Sequence, residues 1–306
     1  MFHFVIKRLL VTVPMVIIVV SLTWGLIRLA PGNFYSGEKK IPPAIEKNLR
    51  EKYGLDQPWY KQYGKMLGSV LRGDFGNSLK YGGQSVNSIL WRTLPVSVTL
   101  GLLAYLIAVV IGVAAGTLAA LKQNSRLDYA LMAIAMLGIS IPNFVLGPLL
   151  VLIFSLSLYW LPPARWAPFP SLNLILPVVT LSAIYIAYIA RLTRSGMLEV
   201  LRSDYIRTAR AKGLTEPQVV VRHAVRGGLL PVVSFSGPAL AFLITGTVVV
   251  ERIYALPGLG NYFINANLNR DEPLIIGIVA FISIAVLFFN LLVDIAYAFM
   301  DPRIKY

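Results

Sequence analysis

The sequence has no cysteine and only two histidines, His3 and His223, among its 306 residues. The missing thiols exclude a disulfide framework and thiolate metal sites. Two imidazoles leave little room for a histidine metal centre or a catalytic dyad. Charge is also scarce: 14% of residues are charged and 57% are hydrophobic, too little polar side chain to clothe a soluble domain of this length. Acid is scarcer than base, with 14 Asp and Glu against 28 Lys and Arg, a net charge of +14. Such an excess suits nucleic-acid binding, but in so apolar a chain it is tested first against membrane topology. The phosphate-cradling G-x-x-x-x-G-K-[ST] pattern is absent. The Gly64–Lys65 pair lacks both the upstream glycine and the following hydroxyl residue. No paired carboxylates and no nucleophile with its base stand out, so the chain is not expected to be an enzyme.

What the chain does have is long apolar runs. A helix needs about 20 mostly apolar residues to cross a bilayer, and six stretches qualify: Leu9–Leu29, Leu94–Leu121, Tyr129–Leu161, Leu172–Ala190, Gly227–Val250 and Leu274–Val293. The fold class is therefore an all-α polytopic membrane protein with six transmembrane helices. The first run follows Lys7 and Arg8 as a signal peptide would. It is longer than a usual signal core, and Arg28–Leu29–Ala30–Pro31 is a poor cleavage site, so it reads as a retained helix. Gly112 and Gly116 make a small-xxx-small pattern for close helix approach. Pro142 and Pro148 are expected to kink the third helix.

Loop charges set the orientation. Lys7 and Arg8, then Lys122 and Arg126, then Arg191, Arg194, Arg202, Arg207, Arg210, Lys212, Arg222 and Arg226, and finally Arg303 and Lys305 fall on one side. By the positive-inside rule that side is the cytoplasm, with both termini in it. The basic 31–93 region is long enough to cross regardless of charge. The chain thus divides into an N-terminal helix (1–30), an extracytoplasmic region (31–93) and a transmembrane core (94–302) with a cytoplasmic loop at 191–228. Within 31–93, Ile45–Tyr53 and Trp59–Leu71 have helical spacing and glycines punctuate the rest. This region is either a gate or partner contact, or an ordered connection.

The cytoplasmic loop is the most structured of the connections. Ser203–Lys212 predicts a short helix with Ile206, Ala209 and Gly213 on one face and Arg207 and Arg210 turned away. Gly213 suits the left-handed helix end. Thr215 and Gln218 have capping-box spacing, with Pro217 tolerated in the first turn. The second helix is expected to run through Arg222, His223 and Val225 until Gly227–Gly228 releases it. Physical chemistry leaves two uses open for such a rigid basic lever: lying on anionic lipid, or being pushed by a cytoplasmic partner.

Elsewhere, Asp294, with Asn290 a turn earlier, is either a proton relay of an ion-coupled secondary transporter or a helix-end hydrogen-bond partner. Glu251 and Arg252 read as an interfacial cluster or a gate contact, and His223 as a helix-face residue. A secondary transporter would carry inverted repeats, and residues 1–160 and 161–306 show no convincing one.

IRTARAKGL (206–214) followed by RHAVRGGLLPVV (222–233) resembles the cytoplasmic loop of permease subunits in ATP-binding-cassette importers of the oligopeptide/dipeptide/nickel group. The resemblance extends over the chain through RLAPG (28–32), YGLDQP (53–58), GDFGNS (73–78), SIPNF (140–144), VVVERIYALPGLG (248–260) and LNRDEP (268–273). GEKKIPP (37–43) and ALKQN (120–124) are similar to the first permease subunit of oligopeptide importers. The general loop pattern of these importers places Glu-Ala-Ala before the glycine. Here Arg207–Thr208–Ala209 stands instead, as in the peptide/nickel subgroup.

The resemblance implies a type I importer permease in a bacterial inner membrane, forming half of a translocation pathway for peptides or nickel. The implied partners are a homologous second permease subunit, two P-loop ATPase subunits that bind ATP and Mg, and an extracytoplasmic peptide-binding protein. The ATPase-docking residues it implies are Arg207, Ala209, Ala211, Gly213, Leu214, Thr215, Gln218, Arg222 and His223. No cofactor is expected in this chain and no nucleic acid among its partners. A path for peptides of varied sequence avoids side-chain readout, so no peptide ligand is named.

Overall fold

The computed structural model describes residues 2–30, 54, 56–163, 165–244 and 248–300. The expected helix at Ile45–Tyr53 and the basic tail at Arg303 and Lys305 lie outside them. The described residues form helices joined by turns and loops, with no strand beyond an isolated Asn77–Ser85 bridge. In chain order the helices are α1 (Phe2–Leu29), α2 (Trp59–Leu71), α3 (Val86–Leu121), α4 (Arg126–Ser140), α5 (Asn143–Leu150), α6 (Ile175–Leu201), α7 (Asp204–Ala211), α8 (Glu216–Val219), α9 (Val225–Gly228), α10 (Leu230–Ile244), α11 (Val248–Ile253), α12 (Leu259–Leu268) and α13 (Glu272–Met300). A π-helical turn, Val151–Ser157, continues α5, and another, Val220–Ala224, joins α8 to α9.

Among the described residues, five helical stretches can cross a membrane by length and composition, or six if the bent pair α4 and α5 with its π turn counts as one. That bend corrects the expectation of a single kinked span over Tyr129–Leu161: the two parts meet at 102°. Ile141 and Pro142 are both extended, with ψ of 112° and 145°. A residue before proline is driven from the helical region by the ring's Cδ, and Pro142 has no amide with which to continue the ladder. Pro148, by contrast, sits inside α5 without breaking it. Two helices run beyond the apolar spans expected of them. α3 starts at Val86, inside the region assigned to the outside, and α6 runs to Leu201, inside the region assigned to the cytoplasmic loop. Hydropathy marks where a helix is apolar, not where its backbone ladder ends.

The chain forms two compact units. The first comprises residues 1–95 and 258–287. Val20 and Trp24 of α1 pack there with Ile276 and Ala280 of α13 and with Tyr63, Met66 and Val70 of α2. The Trp24 and Tyr63 rings lie 5.4 Å apart, and the Tyr63 hydroxyl is 2.7 Å from Ser21 Oγ. Val86, Ile89 and Leu90 make a second core with Leu259, Ala266, Leu274 and Ile278. Buried Asp271 gathers the loop before α3: its carboxylate accepts from Ser78 Oγ and from the amides of Leu79 at 3.0 Å and Lys80 at 3.2 Å.

The second unit comprises residues 96–257 and 288–306, and α6 is its central element. Glycines set its spacing. A Cβ on Gly112 would lie 2.8 Å from Ile189, and one on Gly116 would strike the Ala190 carbonyl. Gly138 likewise admits the Ala183 carbonyl, so α3 and α4 both pack on α6 backbone to backbone. The exposed stripe of α3 in this unit, Leu102, Leu106, Val110 and Leu118, is wholly apolar, as a lipid-facing surface requires.

Candidate coupling surface

The segment from α7 to α9 is built by local rules. Ser203 precedes α7, and Asp204 is acidic in its first turn, where the exposed amides favour negative charge. Ile206 and Ala209 turn inward and are buried with Met197 of α6, Ala120 of α3, and Val219, Val220 and Ala224. Gly213 follows the helix with φ of +80°. Its amide donates to the Arg210 carbonyl at 2.9 Å and the Leu214 amide donates to Ala209 at 3.4 Å, the two bonds of a Schellman ending. Across this turn Arg210 grips Glu216, with Nε–Oε1 at 2.7 Å and Nη2–Oε2 at 3.2 Å. Thr215 then caps α8, and Gln218 Oε1 accepts from the Thr215 amide at 3.1 Å, completing the capping box. The turn is thus closed three times over, by backbone, by ion pair and by cap.

The Arg210 hydrogen bond holds the Glu216 carboxyl below its usual value. A depressed folded value means the pair contributes above the ordinary carboxylate range and is lost as pH falls through it. Amide exchange over 204–218 in Glu216→Gln should therefore exceed wild type at neutral pH. The two should converge in acid, when wild type too has lost the charge.

α9 ends at Gly228, where the sequence places its release, and Leu229 is a one-residue turn before α10. The glycines also serve close packing. A Cβ on Gly196 of α6 would strike the Gly228 carbonyl, and a Cβ on Gly228 would lie 2.5 Å from Met197 Sδ. The backbones of α6 and α9 cross here with no side chain between them.

Of the residues singled out from sequence, Arg207, Ala211, Gly213, Thr215, Gln218 and Arg222 are exposed together on this segment, and Leu214 and His223 are half-buried. The His223 Nδ1 is buried without a hydrogen-bond partner. Ala209 is the exception: it is buried, so it seats the segment rather than presenting it. Arg207 makes only a loose pair with Asp204 at 3.4 Å. The outward surface is mostly polar and basic, with Tyr205 and Val221 exposed beside it, over an apolar underside.

Glu251 is buried and accepts from Ser97 Oγ at 2.8 Å, while Arg252 is exposed. Asp294 lies half-buried on α13, one turn beyond Asn290, which abuts Gly237 of α10. Sequence reasoning missed a bidentate pair between Arg194 and Asp128 and a hydroxyl cluster in which Tyr254 Oη donates to Gly147 O at 3.2 Å and lies 2.8 Å from Thr180 Oγ1. The Ser125-x-x-Asp128 spacing was the available signal for the first, since it marks a helix start with its acid turned back.

A family model described as "Binding-protein-dependent transport system inner membrane component" matches residues 108–306. The chain is 46% identical to the oligopeptide transport system permease protein of Haemophilus influenzae over 306 residues, covering all of both chains. It is 43% identical to the dipeptide transport system permease protein of Bacillus subtilis, covering all of this chain and 98% of that one. Among solved structures, a methionine ABC transporter in inward-facing conformations shares the fold, with a TM-score of 0.57 at 18% identity, covering 70% of this chain and 96% of that one.

Proposed function

The chain belongs to the family of binding-protein-dependent transport system inner membrane components, and from that premise we propose that it carries peptides inward as one permease subunit of an ATP-driven importer. It supplies part of the translocation pathway and no catalytic group; hydrolysis belongs to separate ATPase subunits that bind ATP and Mg. The curated relatives above carry oligopeptide and dipeptide names, which favours peptides over nickel. A homologous permease subunit completes the path, and an extracytoplasmic binding protein delivers the substrate. Both termini lie in the cytoplasm, as the basic loops require.

The observation that carries this reading is the 204–228 segment. Its Schellman ending, Arg210–Glu216 pair and capping box make it rigid, and its underside is locked to α6 at Gly196 and Met197. A rigid polar knob fused to membrane helices can pass a push from an ATPase into the membrane, provided the whole has two arrangements for nucleotide to choose between.

The absence of cysteine provides the test. Thr215→Cys puts a single exposed thiol at the tip of the knob. A membrane-impermeant maleimide should label it only from the cytoplasmic side and should be blocked when the ATPase subunits bind. Labelling indifferent to the ATPases would return the segment to the lipid surface, and labelling from outside would invert the topology.

A further inference from the structure

Arg194 lies two residues before the Gly196 crossing, on α6. Its guanidinium forks onto Asp128 of α4, with Nε–Oδ1 at 2.6 Å and Nη2–Oδ2 at 2.7 Å. Asp128 is 1% exposed and also accepts the Asn124 amide at 2.9 Å, in the turn that joins α3 to α4. Ser125 Oγ caps the same helix by accepting the Asp128 amide at 3.3 Å. One carboxylate therefore binds α6, the start of α4 and the α3–α4 turn into one joint. The adjoining residues of α6, Gly196 and Met197, bear on the coupling segment through Gly228, Ile206 and Ala209.

A purely structural role is the obvious alternative. Asp128 is buried while the Arg194 side chain keeps 27% of its surface exposed, and taking such charges out of water costs about as much as their attraction returns, so the pair is weak evidence for stability. What it supplies is direction. Apolar helix faces can slide over one another, whereas a bidentate fork has one geometry. Resting on the importer reading above, we propose that Asp128 and Arg194 are positioning residues that transmit motion of the coupling segment through α6 to α4, so that ATP hydrolysis is tied to import. α4 leads directly into the 102° bend, so a rotation passed to its first turn is delivered to the broken region of the fold.

The test uses the complete importer in vesicles: this chain, its homologous permease, the ATPase subunits and the binding protein, with tri-alanine as the peptide. The readout is ATP hydrolysed per tri-alanine imported, measured on assembled complex alone. Asp128→Asn keeps shape and removes the charge, and should raise that ratio by about twofold to thirtyfold, the span of coupling changes such networks carry. Arg194→Lys keeps the charge but not the fork, and should raise it less. If Asp128→Asn fails to assemble, Arg194→Lys decides by the same ratio. A wild-type ratio in the assembled variants, whatever their yield, overturns the proposal and leaves the pair a structural clasp. A wild-type complex that hydrolyses ATP yet imports no tri-alanine counts against the peptide-importer reading instead.

Discussion

Gly196→Val is expected to abolish coupled function and to lower the thermal stability of the purified protein. The Cβ alone would strike the Gly228 carbonyl, and Pro231 Cδ lies 3.3 Å away. These neighbours are main chain and a closed ring, which cannot turn aside as a flexible side chain would. Forcing a backbone apart in this way costs about 1–3 kcal/mol and occasionally more, and two branched methyls add to it. Alanine should already be damaging here, because its Cβ is the clashing atom. Gly213 is the control. It has open space around it and φ of +80°, so Gly213→Ala carries only the left-handed strain of an L-residue, roughly 1–2 kcal/mol. Melting curves of both variants, combined with maleimide protection at Thr215→Cys, separate the two causes. Gly213→Ala should show only a modest loss of stability, whereas Gly196→Val should lose both stability and ATPase protection.

Asp271→Asn should be the most disruptive single change in the first unit. The carboxylate accepts from Ser78 Oγ and the Leu79 and Lys80 amides, with a longer 3.4 Å bond from Leu274. Ser78 and Asp271 are both fully buried, so water cannot replace what is lost. An amide supplies one acceptor oxygen and turns its NH2 toward a donor. Hydrogen bonds to charged groups contribute about 1.5–3 kcal/mol each, and a buried donor left unpaired costs about 1–3 kcal/mol. Faster amide exchange at residues 78–81 and at the start of α13 should report the change. Exchange in the 204–218 segment should stay at wild-type rates, since that segment belongs to the other unit.

The lever at 204–228 was readable because its determinants are local. A glycine after a short amphipathic helix, then Thr215 and Gln218 at capping distance, specify a turn whatever the rest of the chain does. α2 was readable for the same reason, from its period alone. Helix ends were not. Val86–Leu90 is packed against α12 and α13, and α6 keeps its helix to Leu201 by burying Gly196 and Met197 under the coupling segment. Both extensions are held by contacts far away in sequence, which a hydropathy window does not register. At Gly227 and Gly228 the helix stops as the sequence expects, but glycine serves two ends, freedom and closeness, and only the crossing partner reveals the second. The Asp128–Arg194 pair spans 66 positions. Counting its arginine as one more loop charge concealed that it is largely covered and engaged.

The sharp bend at Ile141–Pro142 has a consequence for the solvation of the main chain. Pro142 has no amide to give the carbonyl of Gly138, as an unbroken ladder would require. Hydrocarbon tails offer no donor, and an uncovered peptide oxygen among them costs several kcal/mol. Where the bent pair crosses the bilayer, its corner is therefore stable only against another protein surface or a wetted channel, never against acyl chains. The wholly apolar stripe of α3 can meet lipid; the SIPNF corner cannot.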